Sequence, residues 1–86
     1  MKGRVILYMR QRCHLCEDAR EILENLQQSF VFEIHEVDID QDDELIEKYG
    51  ITIPVIELDG EELQWGIVNK NLLFKAFSEK NLTFIG

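Results

Sequence analysis

Two β-forming segments separated by one helical pattern restrict this chain to a small set of folds. The first segment, Val5 to Met9, is an uninterrupted apolar run, which predicts a strand covered on both faces. Residues 13–28 repeat apolar side chains at helical spacing, and residues 30–37 alternate as a second strand does. A strand, a helix and a strand in this order predict a right-handed crossover between parallel strands.

The rest of the chain predicts a short helix, a hairpin and a last helix. Asp40 is expected to cap a helix that runs to Tyr49, with acidic residues in its first turn. An Asp-Gly pair at residues 59–60 tolerates the positive φ of a tight hairpin turn. The second hairpin strand carries Trp65, which is expected in the core, and either Asn69 or Asn71 is expected to cap the last helix.

The predicted order is therefore βαβαββα, an α/β fold with a mixed four-stranded sheet flanked by helices on both faces. With 86 residues, the chain is expected to form a single domain over residues 1–86. No apolar run is long enough to predict a signal peptide or a membrane span. We therefore expect a cytoplasmic protein that does not bind a membrane. We also expect it to be a monomer.

The chain is acidic, with 17 Asp and Glu against 9 Lys and Arg and a net charge of −8. A phosphate-binding surface needs a net basic face, so nucleic acid is not expected as a partner. The charge is uneven: residues 1–20 carry five basic and two acidic groups, whereas residues 33–62 carry twelve acidic groups and one lysine. The part of the chain that holds the cysteines is thus locally positive.

The two cysteines, Cys13 and Cys16, open the first predicted helix directly after the first strand. Helical spacing predicts an exposed Cys13 and a largely buried Cys16. Disulfide exchange requires this difference, because an accessible thiolate attacks and a shielded partner resolves the mixed disulfide. In the reducing cytosol a close cysteine pair is more often catalytic or metal-binding than structural.

The helix start is also expected to lower the pKa of the Cys13 thiol. Free backbone N–H groups of the first turn can point at its sulfur, and Arg10 or Arg12 adds positive charge. His14 is expected to point to solvent and to have a secondary role.

Two other readings of the pair remain open. A zinc ion would need further ligands from His14, His35 or a carboxylate, and His14 is poorly placed between the cysteines, so such a site would be shared between two chains. Alternatively, the cysteines are inert and one of them fills the core as a small apolar side chain.

The motifs together resemble the thioredoxin superfamily. The Cys-x-x-Cys helix start, the segment VDID at residues 37–40 and the segment IPV at residues 53–55 are similar to a glutaredoxin-like family of small proteins. The resemblance implies a thioredoxin-like, glutaredoxin-type fold. It also implies a thiol-disulfide oxidoreductase with Cys13 as nucleophile and Cys16 as resolving thiol, acting in cell redox homeostasis.

By the same resemblance, Pro54 is cis and faces the cysteines. Thr52, Ile53 and Gly66 are then expected with Pro54 at the substrate site, the backbone of Ile53 pairing with an extended substrate. Arg10 and Arg12 are expected to contact the substrate as well, together with His14.

Glutathione recognition is only half supported by the resemblance. Arg10 matches the basic residue that meets the glycyl carboxylate of glutathione in glutaredoxins. However, His14-Leu15 replaces the usual Pro-Tyr, and residues 65–69 lack one glycine and the carboxylate that hold the γ-glutamyl group. Only weak glutathione affinity is expected, and no resident cofactor or metal.

The substrates expected are protein or low-molecular-weight disulfides, with glutathione or a thioredoxin-type reductase as electron donor. Two alternatives of another class remain. One is a non-catalytic thioredoxin-fold adaptor, and the other is a glutathione-ligated iron-sulfur carrier.

Overall fold

In the part of the chain that the structure describes, four strands and three helices follow one another in the predicted order βαβαββα. This computed structural model describes residues 3–86; Met1 and Lys2, which the predicted domain includes, lie outside the described residues. The elements are β1 (Gly3–Met9), α1 (His14–Leu26), β2 (Phe32–Asp38), α2 (Asp43–Tyr49), β3 (Val55–Leu58), β4 (Glu61–Trp65) and α3 (Lys70–Glu79). No helix among residues 3–86 has the length and apolar character needed to cross a membrane.

The strands form one mixed sheet in the order β2-β1-β3-β4. β1 and β2 are parallel and in register from Gly3 opposite Phe32 to Met9 opposite Asp38. β3 is antiparallel to both β1 and β4. The carboxyl ends of β1, β2 and β4 and the start of β3 therefore meet at one edge of the sheet, which we call the site edge. This arrangement confirms the predicted α/β, thioredoxin-like fold.

The alternation of side chains along β1 divides the core between the two faces of the sheet. Val5, Leu7 and Met9 are buried in a large cluster with side chains of α1 and α3. On the other face, Tyr8 packs on Tyr49 of α2 with their ring centroids 4.6 Å apart. Helices thus cover both faces, as predicted.

Desolvation accompanies the packing of Tyr8. Burial raises the pKa of Tyr8 to about 12, and the charge of Glu57 and a hydrogen bond with it add to the shift.

The start of α2 differs from the prediction that Asp40 caps it. Residues 39–41 form a 3-10 turn after β2, in which the Asp40 N–H donates to Asp38 Oδ1 at 2.9 Å. The cap is Asp42, whose backbone is extended and whose Oδ1 accepts the Glu44 N–H at 2.9 Å. The extra turn moves the helix start two residues along and leaves the Asp40 carboxylate without a capping role.

The other turn and cap predictions hold. Asp59 and Gly60 have φ values of 48° and 90°, so both central residues of the hairpin turn take the positive φ expected there. Asn69 caps α3, its Oδ1 accepting the Leu72 N–H at 3.0 Å. β2 begins at Phe32 rather than at residue 30, because Phe30 instead forms an isolated bridge with the C-terminal segment.

The expectation that Trp65 lies in the core is wrong. Its side chain is 61 % exposed, because β4 is an edge strand whose end is left uncovered. Trp65 instead lines an open groove of about 420 Å³ between β4 and α3, together with Ile67 and Leu72.

The cap assignment predicts a measurable difference between two substitutions at position 42. Asp42→Ala should lower the free energy of unfolding by about 1 kcal/mol, because the Glu44 N–H loses its acceptor. Asp42→Asn removes the same charge but keeps an oxygen acceptor, so it should retain most of the stability. Urea unfolding followed by circular dichroism checks this. Equal losses in the two variants would contradict the assignment.

Candidate functional site

The cysteine pair lies at the site edge, where the chain leaves β1 and enters α1. Cys13 and Cys16 form a disulfide, with their Cα atoms 5.1 Å apart. Cys13 is the N-cap of α1, with extended backbone angles (φ −105°, ψ 108°), and Cys16 lies in the first turn of the helix. Arg12, just before the pair, takes a left-handed conformation with φ 58° and turns the chain from the strand into the helix.

The sulfur of Cys13 occupies the position that a side-chain oxygen takes in an ordinary helix cap. The Cys16 N–H donates to Cys13 Sγ at 3.1 Å. The Cys13 carbonyl accepts the Glu17 N–H, also at 3.1 Å, and so begins the helical hydrogen bonds. A backbone donor of the first turn is therefore aimed at the first sulfur, an arrangement that favours negative charge on that atom.

The two cysteines differ in burial. Cys16 is 1 % exposed and belongs to the large core cluster, which confirms its predicted burial. Cys13 is partly buried and packs against the edge of that cluster, so it is less exposed than the helical pattern predicts. Cys13 is thus the more accessible of the two sulfurs.

A depression beside the disulfide is lined by several charged side chains. It has a volume of about 100 Å³ and is lined by three arginines and five other residues: Met9, Arg10, Gln11, Arg12, Cys13, Cys16, Glu17 and Arg20. Two of these arginines are paired with carboxylates from the neighbouring strand and the turn after it. Arg10 contacts Asp40, with Nη2 2.9 Å from Oδ1, and Arg20 contacts Glu36.

The ion pair between Arg20 and Glu36 also shifts the pKa of Arg20. The hydrogen bond to Glu36 is the main cause that raises the pKa of Arg20, and the charge of Glu36 acts in the same direction. Arg20 is therefore charged throughout the usable pH range, and its charge is locally balanced.

The peptide bond between Ile53 and Pro54 is cis, as the sequence resemblance predicts. Pro54 precedes Val55, which lies opposite Tyr8 near the carboxyl end of β1, so this loop reaches the site edge. The Gly66 N–H donates to the Pro54 carbonyl at 2.9 Å. Gly66 has a positive φ of 74°, which a glycine adopts without steric cost.

The loop before Pro54 is tied to the end of α2. The backbone N–H groups of Thr52 and Ile53 both donate to the Tyr49 carbonyl, at 3.0 and 3.2 Å. The expected pairing of Ile53 with an extended substrate would therefore have to use its carbonyl.

The structure thus separates the predicted site residues into two groups. Cys13, Cys16, Arg10 and Arg12 line one depression. The second group, Thr52, Ile53, Pro54 and Gly66, forms the neighbouring loops of the site edge. His14 is exposed on α1 and does not line the depression.

Sequence reasoning did not identify the acidic partners of the site, Asp40 and Glu36, or the role of Arg20. One signal was available. β2 is parallel to β1, so carboxylates at the end of β2 come to the same sheet edge as the arginines that follow β1.

A metal site at the two cysteines would require further ligands. Among residues 3–86, no group of three or more His, Cys, Asp or Glu side chains is placed to hold a metal ion. A zinc site built from the described part of a single chain therefore lacks a third ligand.

Comparison with solved structures supports the fold. The X. campestris target protein XcR50 is 32 % identical, with a TM-score of 0.75, and the match covers 87 % of this chain and 96 % of that one. Protein Ne2328 from Nitrosomonas europaea is 26 % identical, with a TM-score of 0.77 and coverages of 86 % and 89 %. A thioredoxin from Halobacterium salinarum, 19 % identical, has a TM-score of 0.69 over 98 % of this chain and 78 % of its own.

A comparison with protein families finds a match over nearly all of the chain. The model of the glutaredoxin-like domain (DUF836) matches residues 4–82, which include the cysteine pair, the cis-proline loop and α3. The chain belongs to the glutaredoxin-like domain family and has the thioredoxin fold.

Proposed function

We propose that this protein is a cytoplasmic thiol-disulfide oxidoreductase, in which Cys13 is the nucleophile and Cys16 the resolving thiol. One observation supports this above all: the more accessible sulfur caps α1 and accepts a backbone N–H, while its partner is buried one turn away. An inert core pair would need neither the difference in burial nor the donor aimed at the first sulfur.

The reaction begins from the reduced pair. The Cys13 thiolate attacks a substrate disulfide, so a bond forms between Cys13 Sγ and one substrate sulfur, and the other sulfur leaves as a thiolate that takes a proton from water. Cys16 then loses its proton to solvent and attacks Cys13 Sγ. The second substrate sulfur leaves as a thiol, and two electrons have passed from the cysteines to the substrate.

The product of these steps is the disulfide between Cys13 and Cys16 that the structure contains. Its reduction needs a two-electron donor, either two molecules of glutathione or a thioredoxin-type reductase system. The helix turn holds the two cysteines within reach of each other, so the second attack is intramolecular and fast.

The surroundings of the pair favour general disulfide exchange over dedicated glutathione binding. In the loop after β4, Val68 offers no hydroxyl, and the side chain of Asn69 is already used to cap α3. Arg10, the expected partner of a glutathione carboxylate, is paired with Asp40. We therefore propose protein or small disulfides as substrates and only weak affinity for glutathione.

The assignment of the nucleophile predicts unequal alkylation. In the reduced, folded protein at pH 7, iodoacetamide should modify Cys13 much faster than Cys16, because Cys16 is buried in the core cluster. Peptide mass spectrometry after timed quenching gives the two rates, and unfolding in urea should make them similar. Equal rates in the folded protein would contradict the assigned roles.

The two-step mechanism predicts which variant traps a partner. Cys16→Ser keeps the nucleophile but cannot resolve the mixed disulfide and release the partner. It should therefore accumulate covalent adducts that dithiothreitol cleaves by reduction. Cys13→Ser is the matched control and should trap little, because its remaining thiol is buried. Adducts with a model disulfide and with cell extract are separated on non-reducing gels and identified by mass.

Two results of this trapping experiment would oppose the proposal. If Cys16→Ser traps nothing and the wild type reduces no disulfide, the protein is not an oxidoreductase and the adaptor reading replaces it. If Cys13→Ser traps more than Cys16→Ser, the roles of the two cysteines are reversed.

A further inference from the structure

Arg10, one of the three arginines that line the depression beside the cysteines, is not free. Arg10 lines the depression that contains both cysteines, and its guanidinium is held by the Asp40 carboxylate. Nε lies 3.0 and 3.1 Å from the two carboxylate oxygens, and Nη2 lies 2.9 Å from Oδ1. Both oxygens of Asp40 are thus directed at Arg10, in the way that a bound carboxylate would be.

The backbone holds Asp40 in this position. β1 and β2 are parallel and paired to their last residues, with Met9 opposite Asp38, so the turn after β2 lies beside the start of the cysteine loop. Within that turn the Asp40 N–H donates to Asp38 Oδ1 at 2.9 Å. Because Asp42 rather than Asp40 caps α2, the carboxylate of Asp40 has no competing role.

Arg20, a second arginine of the depression, is also paired with a carboxylate. Arg20 on α1 is paired with Glu36 of β2, on the same strand that leads to Asp40. Arg12 is exposed and makes no ion pair with any residue in the range 3–86 that the structure describes. Two of the three positive charges beside the cysteines are therefore balanced from within the chain.

This arrangement affects how the site receives a charged substrate. Arg12 is one unpaired arginine beside the cysteines. A second one, at Arg10, would attract a thiol or disulfide that carries a carboxylate more strongly, and a forked hydrogen bond would orient it. A substrate carboxylate that reaches Arg10 must instead displace Asp40 or approach a pair of nearly zero net charge. A neutral substrate meets no such obstacle.

We propose that Asp40 is a positioning residue that withholds Arg10 from anionic substrates, so that the site attracts small thiols and disulfides that carry carboxylates less strongly than it would with both Arg10 and Arg12 unpaired. This inference rests on the proposed function, since it concerns the substrate preference of the same cysteine pair. It also gives a structural cause for weak glutathione affinity that is separate from the loop after β4.

A pair of alkylating agents that differ in charge tests the inference without any need for turnover. Iodoacetate is anionic and iodoacetamide is neutral, and both react with the same thiolate, so the ratio of their rates on Cys13 reports the local charge. Asp40→Asn should raise the iodoacetate-to-iodoacetamide ratio by roughly three- to tenfold at low ionic strength, the range produced by one unit charge near a protein surface. In 0.5 M salt most of this gain should disappear.

Three variants separate the role of Asp40 from net charge and from folding. Asp43→Asn makes the same change in net charge on an exposed residue of α2 and should leave the ratio unchanged. Asp40→Glu keeps the carboxylate and should preserve a ratio near that of the wild type. Adding Arg10→Gln to Asp40→Asn should abolish the gain, because the effect acts through Arg10. A gain that survives this double substitution, or that Asp43→Asn reproduces, would overturn the inference.

Turnover gives the second readout. With dithiothreitol as reductant, the Asp40→Asn variant should reduce the anionic disulfides, oxidised glutathione and dithiodipropionate, better relative to neutral bis(2-hydroxyethyl) disulfide. The gain should be a lower KM for the anionic substrates, whereas cationic cystamine should become a poorer substrate. Equal changes for all charges would contradict the inference. If the wild type reduces none of these disulfides, the proposed function fails, while the alkylation ratio still decides the role of Asp40.

Discussion

The first turn of α1 is the constraint on which the rest of the site depends. Cys16 is anchored in the core cluster shared by α1, α3 and the sheet, and this anchor fixes where the helix begins relative to the end of β1. Cys13 is then held as the N-cap, with the Cys16 N–H aimed at its sulfur. The packing that stabilises the fold therefore also sets the accessibility and the electrostatic environment of the first cysteine.

The parallel pairing of β1 and β2 determines which carboxylates lie beside the arginines of this site. The uneven charge along the chain, basic in residues 1–20 and acidic in residues 33–62, becomes a set of contacts across one sheet edge. Arg10 and Arg20 meet Asp40 and Glu36 there. Each pair is exposed and adds little to stability. We infer that their main consequence is for the substrates that can approach the cysteines.

Much of this could be predicted because local patterns determine it. Alternation and helical spacing identify the strands and α1, the Asp59-Gly60 turn needs positive φ, and the buried side of the helix includes Cys16. The cap of α2 could not be predicted in the same way, because Asp40 and Asp42 have the same local propensity to cap. The choice between them depends on where β2 ends, which its pairing with β1 sets.

Local sequence patterns also do not predict contacts between segments that are distant in the chain. Arg10 and Asp40 are 30 residues apart, and only the register of two strands brings them together. The large, apolar side chain of Trp65 predicts a place in the core, yet its exposure depends on whether another element covers the edge strand. The family resemblance supplied the cis-proline, which no periodicity in the chain indicates.

A redox titration of the cysteine pair tests the central claim, that this disulfide is an exchanging one, most directly. The protein is equilibrated in glutathione or dithiothreitol buffers, and free thiols are then trapped with an alkylating agent. Mass spectrometry gives the fractions of the oxidised and reduced forms. An exchanging pair should show a reversible two-electron transition above about −300 mV, with a slope of about 30 mV per tenfold change in the ratio of the oxidised to the reduced form. A pair that stays oxidised well below that potential, or that never closes, would contradict the claim.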